Sequence, residues 1–274
     1  RVLAIASGKG GVGKSNITVN LAIAAAHAGV RTVVIDGDFG LANADVLCGI
    51  NSAVHIGQVI DGDRTLEQVA IPAPGGFRLV PGGSGVTRLS HLDRAQRTRL
   101  IGAVSSLASS TDLVIVDCGA GVGESVVSLV HAAHLAFVVT TPEPTAIADA
   151  YALIKVLARR GAQHAQLVVN QVRRRKEADA VHGRIAAVAA RFLQQQVPLA
   201  GCVRFDEKVR AAVRQRQPFL LESPGSRAAR DVRSLSGSTV RAVGLSEHAE
   251  GRKRRLSGSS RRAAGGFGRS PLDG

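Results

Sequence analysis

The chain has 274 residues, 45% of them hydrophobic, with 35 Lys and Arg against 21 Asp and Glu and a formal charge of +14. That is enough for one sizeable α/β domain with a tail. There is no membrane-spanning apolar run and no secretory leader, so a cytoplasmic protein is expected. Cys48, Cys118 and Cys202 are far apart and lack C-x-x-C spacing, which argues against a disulfide framework, a zinc site or an iron–sulfur cluster.

The sequence starts at Arg1 and contains no Met, so a natural N-terminal segment is expected to be missing. Val2 to Ala6 is an apolar run suited to a buried parallel strand, and Ile17 to Ala28 has the composition of a helix. Between them Gly8-Lys9-Gly10-Gly11-Val12-Gly13-Lys14-Ser15 matches G-x-x-x-x-G-K-[ST] in full. Strand, glycine-rich loop and helix form the setting that this phosphate-binding motif requires. Glycines let the backbone close on a polyphosphate, and the helix beginning near Lys14 adds the positive end of its dipole. Lys14 is expected to reach the β- and γ-phosphates, and Ser15 to offer its hydroxyl to Mg²⁺.

Arg31 to Asp36 reads as the second strand and ends in Asp36-Gly37-Asp38. Carboxylates at the carboxyl end of a strand, beside phosphates, suit Mg²⁺ and water chemistry. A connection with a short helix, Thr65 to Val69, leads to a strand at Phe77 to Val80 and a glycine-rich loop, Pro81 to Gly85. Arg94 to Ala108 has helical periodicity. Leu113 to Asp117 is an apolar strand ending in an acid, the Walker B pattern, whose carboxylate usually meets Mg²⁺ through water.

Further strands are expected at Leu135 to Thr140, Gln166 to Asn170 and Leu199 to Val203. Helices are expected from Thr145, as N-cap, through Lys155, and at Gly183 to Gln194, Phe205 to Gln215 and Ala228 to Val243. Asn170, at a strand end, can hydrogen-bond an adenine edge. Gln171-Val172-Arg173 follows in place of a guanine-specifying signature, which favours ATP over GTP. The repeated strand–helix units give a single P-loop domain over residues 1–244: a mostly parallel, doubly wound sheet with helices on both faces. Residues 245–274 form a basic Ser/Gly/Arg-rich tail, expected to be disordered.

Lys9 is a second lysine that an ordinary phosphate loop does not need. With it, Lys9-Gly10-Gly11-Val12-Gly13-Lys14-Ser15 resembles the deviant Walker A ATPases of the MinD/ParA family. The resemblance implies an ATP-dependent homodimer in which Lys9 reaches the partner subunit's nucleotide, as an arginine finger does. It implies that Asp38 activates the attacking water, that Asp36 supports the metal's outer shell, and that Asp117 serves Mg²⁺. Gly8, Lys9, Gly10, Gly11, Val12, Gly13, Lys14, Ser15, Asn16 and Asn170 are then nucleotide-binding, and Lys9, Lys14 and Asp38 catalytic. Arg204 joins the base pocket where the family commonly has proline. Cys118-Gly119-Ala120-Gly121 resembles the switch II loop, with Cys118 replacing a small hydroxyl residue.

The stretch Thr140-Thr141-Pro142-Glu143-Pro144-Thr145 through Asp149-Ala150-Tyr151 to Lys155 is similar to the flagellar branch, FlhG, FleN and YlxH. So are Gly40-Leu41-Ala42-Asn43-Ala44-Asp45, Pro81-Gly82-Gly83-Ser84-Gly85 and Asn16. The implied function is a weak, partner-stimulated ATPase acting as a dimerisation switch for flagellar number or placement. Implied partners are flagellar assembly proteins, among them C-ring components and a flagellar GTPase, or a transcription regulator. The basic tail suits an anionic membrane surface, giving peripheral attachment. DNA binding is not expected, although the charge permits it. The alternatives are a MinD-type division-site or ParA-type partitioning ATPase and, in another class, a metabolic ligase or metal-cluster carrier on the same fold.

Overall fold

The computed structural model describes residues 1–39, 42–83, 92–162 and 164–245. The readings made on Gly40-Leu41, on Ser84-Gly85 and on the tail beyond Leu245 lie outside the described residues.

In chain order the elements are β1 (Val2–Ser7), α1 (Lys14–His27), β2 (Thr32–Gly37), α2 (Ala44–Leu47), α3 (Gly57–Asp61), α4 (Leu66–Val69), β3 (Ile71–Pro72) and β4 (Arg78–Val80). There follow α5 (Arg94–Ser110), β5 (Leu113–Ala120), α6 (Glu124–His131), β6 (Leu135–Thr140), α7 (Pro144–Arg159), β7 (Ala165–Val172), α8 (Arg175–Leu193), β8 (Leu199–Arg204), α9 (Glu207–Arg214), α10 (Phe219–Glu222) and α11 (Arg227–Ala242). The strands form one sheet in the order β3-β4-β2-β5-β1-β6-β7-β8. Every pairing is parallel except the short β3–β4 contact at the edge.

Period-two alternation along the strands sends side chains to two separate cores. Val2, Ala4 and Ala6 of β1 join Val114, Val116 and Cys118 of β5 beneath α5 to α8. Leu3 and Ile5 join Leu113 and Ile115 on the other face, beneath α1, α10 and α11. Helix α1 lies between the sheet and α11 and is buried on most sides, from Ile17 through Ala25. This fixes the loop before it at the carboxyl end of β1, where the sheet's connections run to both faces, the usual ligand position in an open α/β sheet.

Several expectations change. Thr145 is not the N-cap of α7: Glu143 is, and Pro144 takes the first helical position, where its fixed φ and missing N–H cost nothing. Strand β5 continues past Asp117 to Ala120. Helices α3 and α6 appear where no helix was read, and α8 begins at Arg175 rather than Gly183. Thr65 and Asp93 close capping boxes with Gln68 and Gln96, which set the starts of α4 and α5.

Candidate functional site

The loop from Gly8 to Gly13 joins β1 to α1. Gly11 and Gly13 have φ of 79° and 89°, conformations that L side chains rarely adopt. A Cβ at Gly10 or Gly11 would meet nothing, so both glycines border open space. Gly8 differs: a Cβ there would overlap the carbonyl of Asp149, so this glycine lets β1 and α7 meet backbone to backbone. The pattern match does not reveal that contact.

Three of the expected side chains converge. Lys14 donates to Asp117 Oδ1 at 2.9 Å and lies 3.8 Å from Asp38 Oδ2. Burial works against the Lys14 charge, but Asp117, and behind it Asp38, outweigh it and hold the ammonium above its usual value. Thr18, one turn along α1, adds a hydroxyl to Asp117 Oδ1 at 3.2 Å. It carries no motif signal, and its helical offset from Lys14 is the only hint of it. Asp117 Oδ2 is fully buried and has no hydrogen-bond partner among the described residues. Ser15 is half-buried in the first turn of α1. The open loop and the unmatched oxygen fit a polyphosphate with a hydrated divalent cation.

Asp36 does something other than present a carboxylate. It is fully buried, and its oxygens accept from the backbone N–H of Asp38 (3.2 Å), Asn43 (2.9 Å) and Ala44 (2.9 Å). Burial, then the Asp117 carboxylate in register beside it, push the Asp36 pKa up to about 7 against those N–H donors. Asp36 therefore shapes the turn that carries Asp38. A Cβ at Gly82 would press on the Asp36 carbonyl and on Ala42, so Gly82 lets β4 close over that turn.

The other expected residues are placed as follows. Lys9 points away from its own loop and donates to Glu143 at 3.3 Å and Thr145 at 2.9 Å. Asn170 donates to the Val12 carbonyl at 2.7 Å and accepts from the Gln171 N–H at 2.9 Å, so it ties β7 to the phosphate loop. Arg204 lines the pocket beside the loop, but Asp231 of α11 grips its guanidinium with two bonds of 2.8 Å. Cys118 is fully buried on the α6–α7 face, its thiol near the Val116 carbonyl, and burial pushes it up to about 12.

The pocket itself holds about 420 Å³ and runs from Gly11, Gly13 and Asn16 past Asn170 to Phe205 and α9. It is large enough for a nucleoside.

Residues 3–219 match the family described as the CobQ/CobB/MinD/ParA nucleotide binding domain. The chain is 40% identical over 229 residues to the antiactivator FleN of Pseudomonas aeruginosa, covering 83% of this chain and 82% of that one. It is 32% identical over 241 residues to the flagellum site-determining protein YlxH of Helicobacter pylori, covering 88% and 82%. In fold it resembles the septum site-determining protein MinD of Pyrococcus horikoshii, solved with Mg-ADP, at TM-score 0.76 and 23% identity, over 90% of this chain and 98% of that one. The match spans the glycine-rich loop, both acidic strand ends and the pocket beside the loop, and the chain belongs to the CobQ/CobB/MinD/ParA nucleotide-binding domain family.

Proposed function

We propose that the chain is an ATP-dependent dimerisation switch that hydrolyses ATP slowly and regulates flagellar number or placement. The convergence of Lys14, Asp38 and Asp117 at the mouth of an open phosphate loop carries the nucleotide part of this reading. The 40% identity to FleN and 32% to YlxH support the flagellar part.

The loop N–H groups and Lys14 bind the phosphates, and Lys14 moves from Asp117 toward them as they enter. Ser15 and Asp117 would hold Mg²⁺, which would supply positive charge to offset that of the phosphates. Asp38, fixed by the turn that Asp36 organises, orients the attacking water. Lys9 is 40% exposed at its side chain and can be offered to a facing copy of the chain. Dimerisation then follows ATP only to the extent that ATP binds the dimer better than the monomer, and hydrolysis returns the monomer.

The test of cargo is a pull-down with the Asp38→Ala variant and ATP. Recovery of C-ring components, a flagellar GTPase or a flagellar transcription regulator supports the proposal. Recovery of division-site proteins in their place overturns it.

A further inference from the structure

We infer that Thr18 is a positioning residue of this site: its hydroxyl keeps hold of Asp117 Oδ1 when Lys14 leaves that oxygen for the phosphates, and so fixes the carboxylate in the orientation that serves Mg²⁺. The inference rests on the nucleotide-binding reading above and adds to it a residue outside the loop motif.

From Ile17 to Ala25 helix α1 is buried and apolar, except for Thr18 and Asn20. Asn20 has a structural use. It donates to the Asn16 carbonyl at 2.8 Å and accepts from the Leu220 N–H at 2.8 Å, which ties α1 to α10. The bonds of Thr18 run elsewhere. It is fully buried, and its hydroxyl lies 3.0 Å from the Lys14 carbonyl and 3.2 Å from Asp117 Oδ1. A valine would fill the same space, so packing alone does not call for the hydroxyl.

A hydroxyl has one proton, so Thr18 donates to one of these two oxygens at a time, and rotation of the O–H moves the proton between them with the side chain in place. While Lys14 occupies Asp117 Oδ1 at 2.9 Å, the Lys14 carbonyl, one turn back on the helix, takes the Thr18 proton. Once the ammonium turns to the phosphates, Thr18 is the remaining donor to Asp117 Oδ1 among the described residues. A fully buried carboxylate left without a donor is costly, so the hydroxyl turns to it.

The same geometry sets which oxygen stays free. Both donors meet Asp117 at Oδ1, from α1, and Oδ2 is buried with no hydrogen-bond partner among the described residues. The backbone cannot shift to change this, because β5 is paired on both sides here, with Ile5 of β1 and Asp36 of β2 opposite Asp117. What remains is rotation of the side chain. A donor on Oδ1 removes that rotation and leaves Oδ2 for a cation's water, as groups behind a metal ligand do elsewhere. Lys14 and Thr18 lie one turn apart on one face of α1, so the face that meets phosphate also holds the acid.

The test is a calorimetric titration of ADP and of ATP, each with Mg²⁺ and with EDTA, into wild type, Thr18→Val and Thr18→Ser. Valine keeps the shape and removes the hydroxyl; serine keeps the hydroxyl. Thr18→Val is expected to lose about tenfold in affinity with Mg²⁺, the weight of a hydrogen bond to a charged group, and to stay within about twofold in EDTA. Thr18→Ser is expected to hold the affinity with Mg²⁺ within about twofold of wild type. In the nucleotide-free protein Lys14 already satisfies Asp117, so the thermal midpoint of Thr18→Val stays within about two degrees of wild type. An equal loss with and without Mg²⁺, no loss in either, or a serine variant as weak as the valine one overturns the positioning role. An undiminished loss when Asp117→Asn is already present overturns it too, because the hydroxyl then acts on something other than that carboxylate. If Thr18→Val fails to fold, Thr18→Ala removes the same hydroxyl without an added methyl group and reads the same contrast. If wild type binds nucleotide equally with and without Mg²⁺, the positioning role falls and the nucleotide reading stands. If wild type binds no nucleotide, both fall.

Discussion

The Lys9 ammonium lies 3.3 Å from the Glu143 carboxylate and 2.9 Å from the Thr145 hydroxyl, at the start of the helix that follows β6. The signature lysine of the loop is therefore held outside the loop by the same segment that carries the flagellar resemblance. The pair is exposed on both sides, with side-chain exposures of 40% and 67%, so it contributes little to stability.

Lys9→Ala is accordingly expected to leave the thermal midpoint and monomer ATP affinity within about twofold or a degree or so of wild type, while removing ATP-dependent dimerisation. Equilibrium dialysis and light scattering on one preparation separate the two effects. A loss of ATP affinity equal to that of Lys14→Ala would place Lys9 in its own subunit's site.

Gly8 and Gly10 separate packing from openness within one loop. Gly8→Ala drives a methyl group into the Asp149 carbonyl, and a backbone neighbour cannot give way cheaply. A destabilisation of about 1–3 kcal/mol is expected, with loss of nucleotide binding. Gly10→Ala meets nothing within 4 Å and should leave stability within about 0.5 kcal/mol. Urea denaturation of the two variants checks the contrast.

Asp231 is 1% exposed at its side chain and anchors Arg204 and Arg175. Asp231→Asn keeps the volume but removes the charge facing two guanidinium groups. A loss of about 2–3 kcal/mol is expected, with a smaller effect on ATP affinity, because Arg204 contributes wall rather than edge contacts to the pocket. Chemical denaturation and ATP titration read the two separately.

The cysteines should react in a fixed order. Cys48 and Cys118 are buried, and burial pushes both up to about 12; Cys202 is half-buried, and burial raises it less completely. At pH 8, Ellman's reagent is expected to modify Cys202 first and the other two only on unfolding. Fast labelling of Cys118 in the native protein would mean that β5 opens beside Asp117.

Much of this site was legible because its signals are local. The glycine-rich loop, the acidic strand ends at Asp38 and Asp117, and the amide at Asn170 each sit at a strand–loop junction that hydropathy marks. What escaped the sequence depends on contacts between distant segments. Gly8 against Asp149, Gly82 against Asp36, and Asp231 on Arg204 join residues far apart in sequence, and no periodicity encodes them. Asp36 is expected, by resemblance, to support a metal's outer shell, and what the sequence does not show is that its oxygens serve backbone N–H groups, because a fully buried carboxylate must find donors. Thr145 reads as a cap by residue type, but Pro144 takes the first helical position, moves the cap two residues back to Glu143 and leaves that hydroxyl to Lys9. Helices α3 and α6 are short and start at or just after a glycine, where turn signals mask helical ones.

The measurement that bears most directly on the whole account is the molar mass of Asp38→Ala by light scattering with Mg²⁺ and either ATP or ADP. With the acid proposed to orient the attacking water removed, the account predicts a stable dimer in ATP and a monomer in ADP. A monomer in both nucleotides, with ATP demonstrably bound, would contradict it.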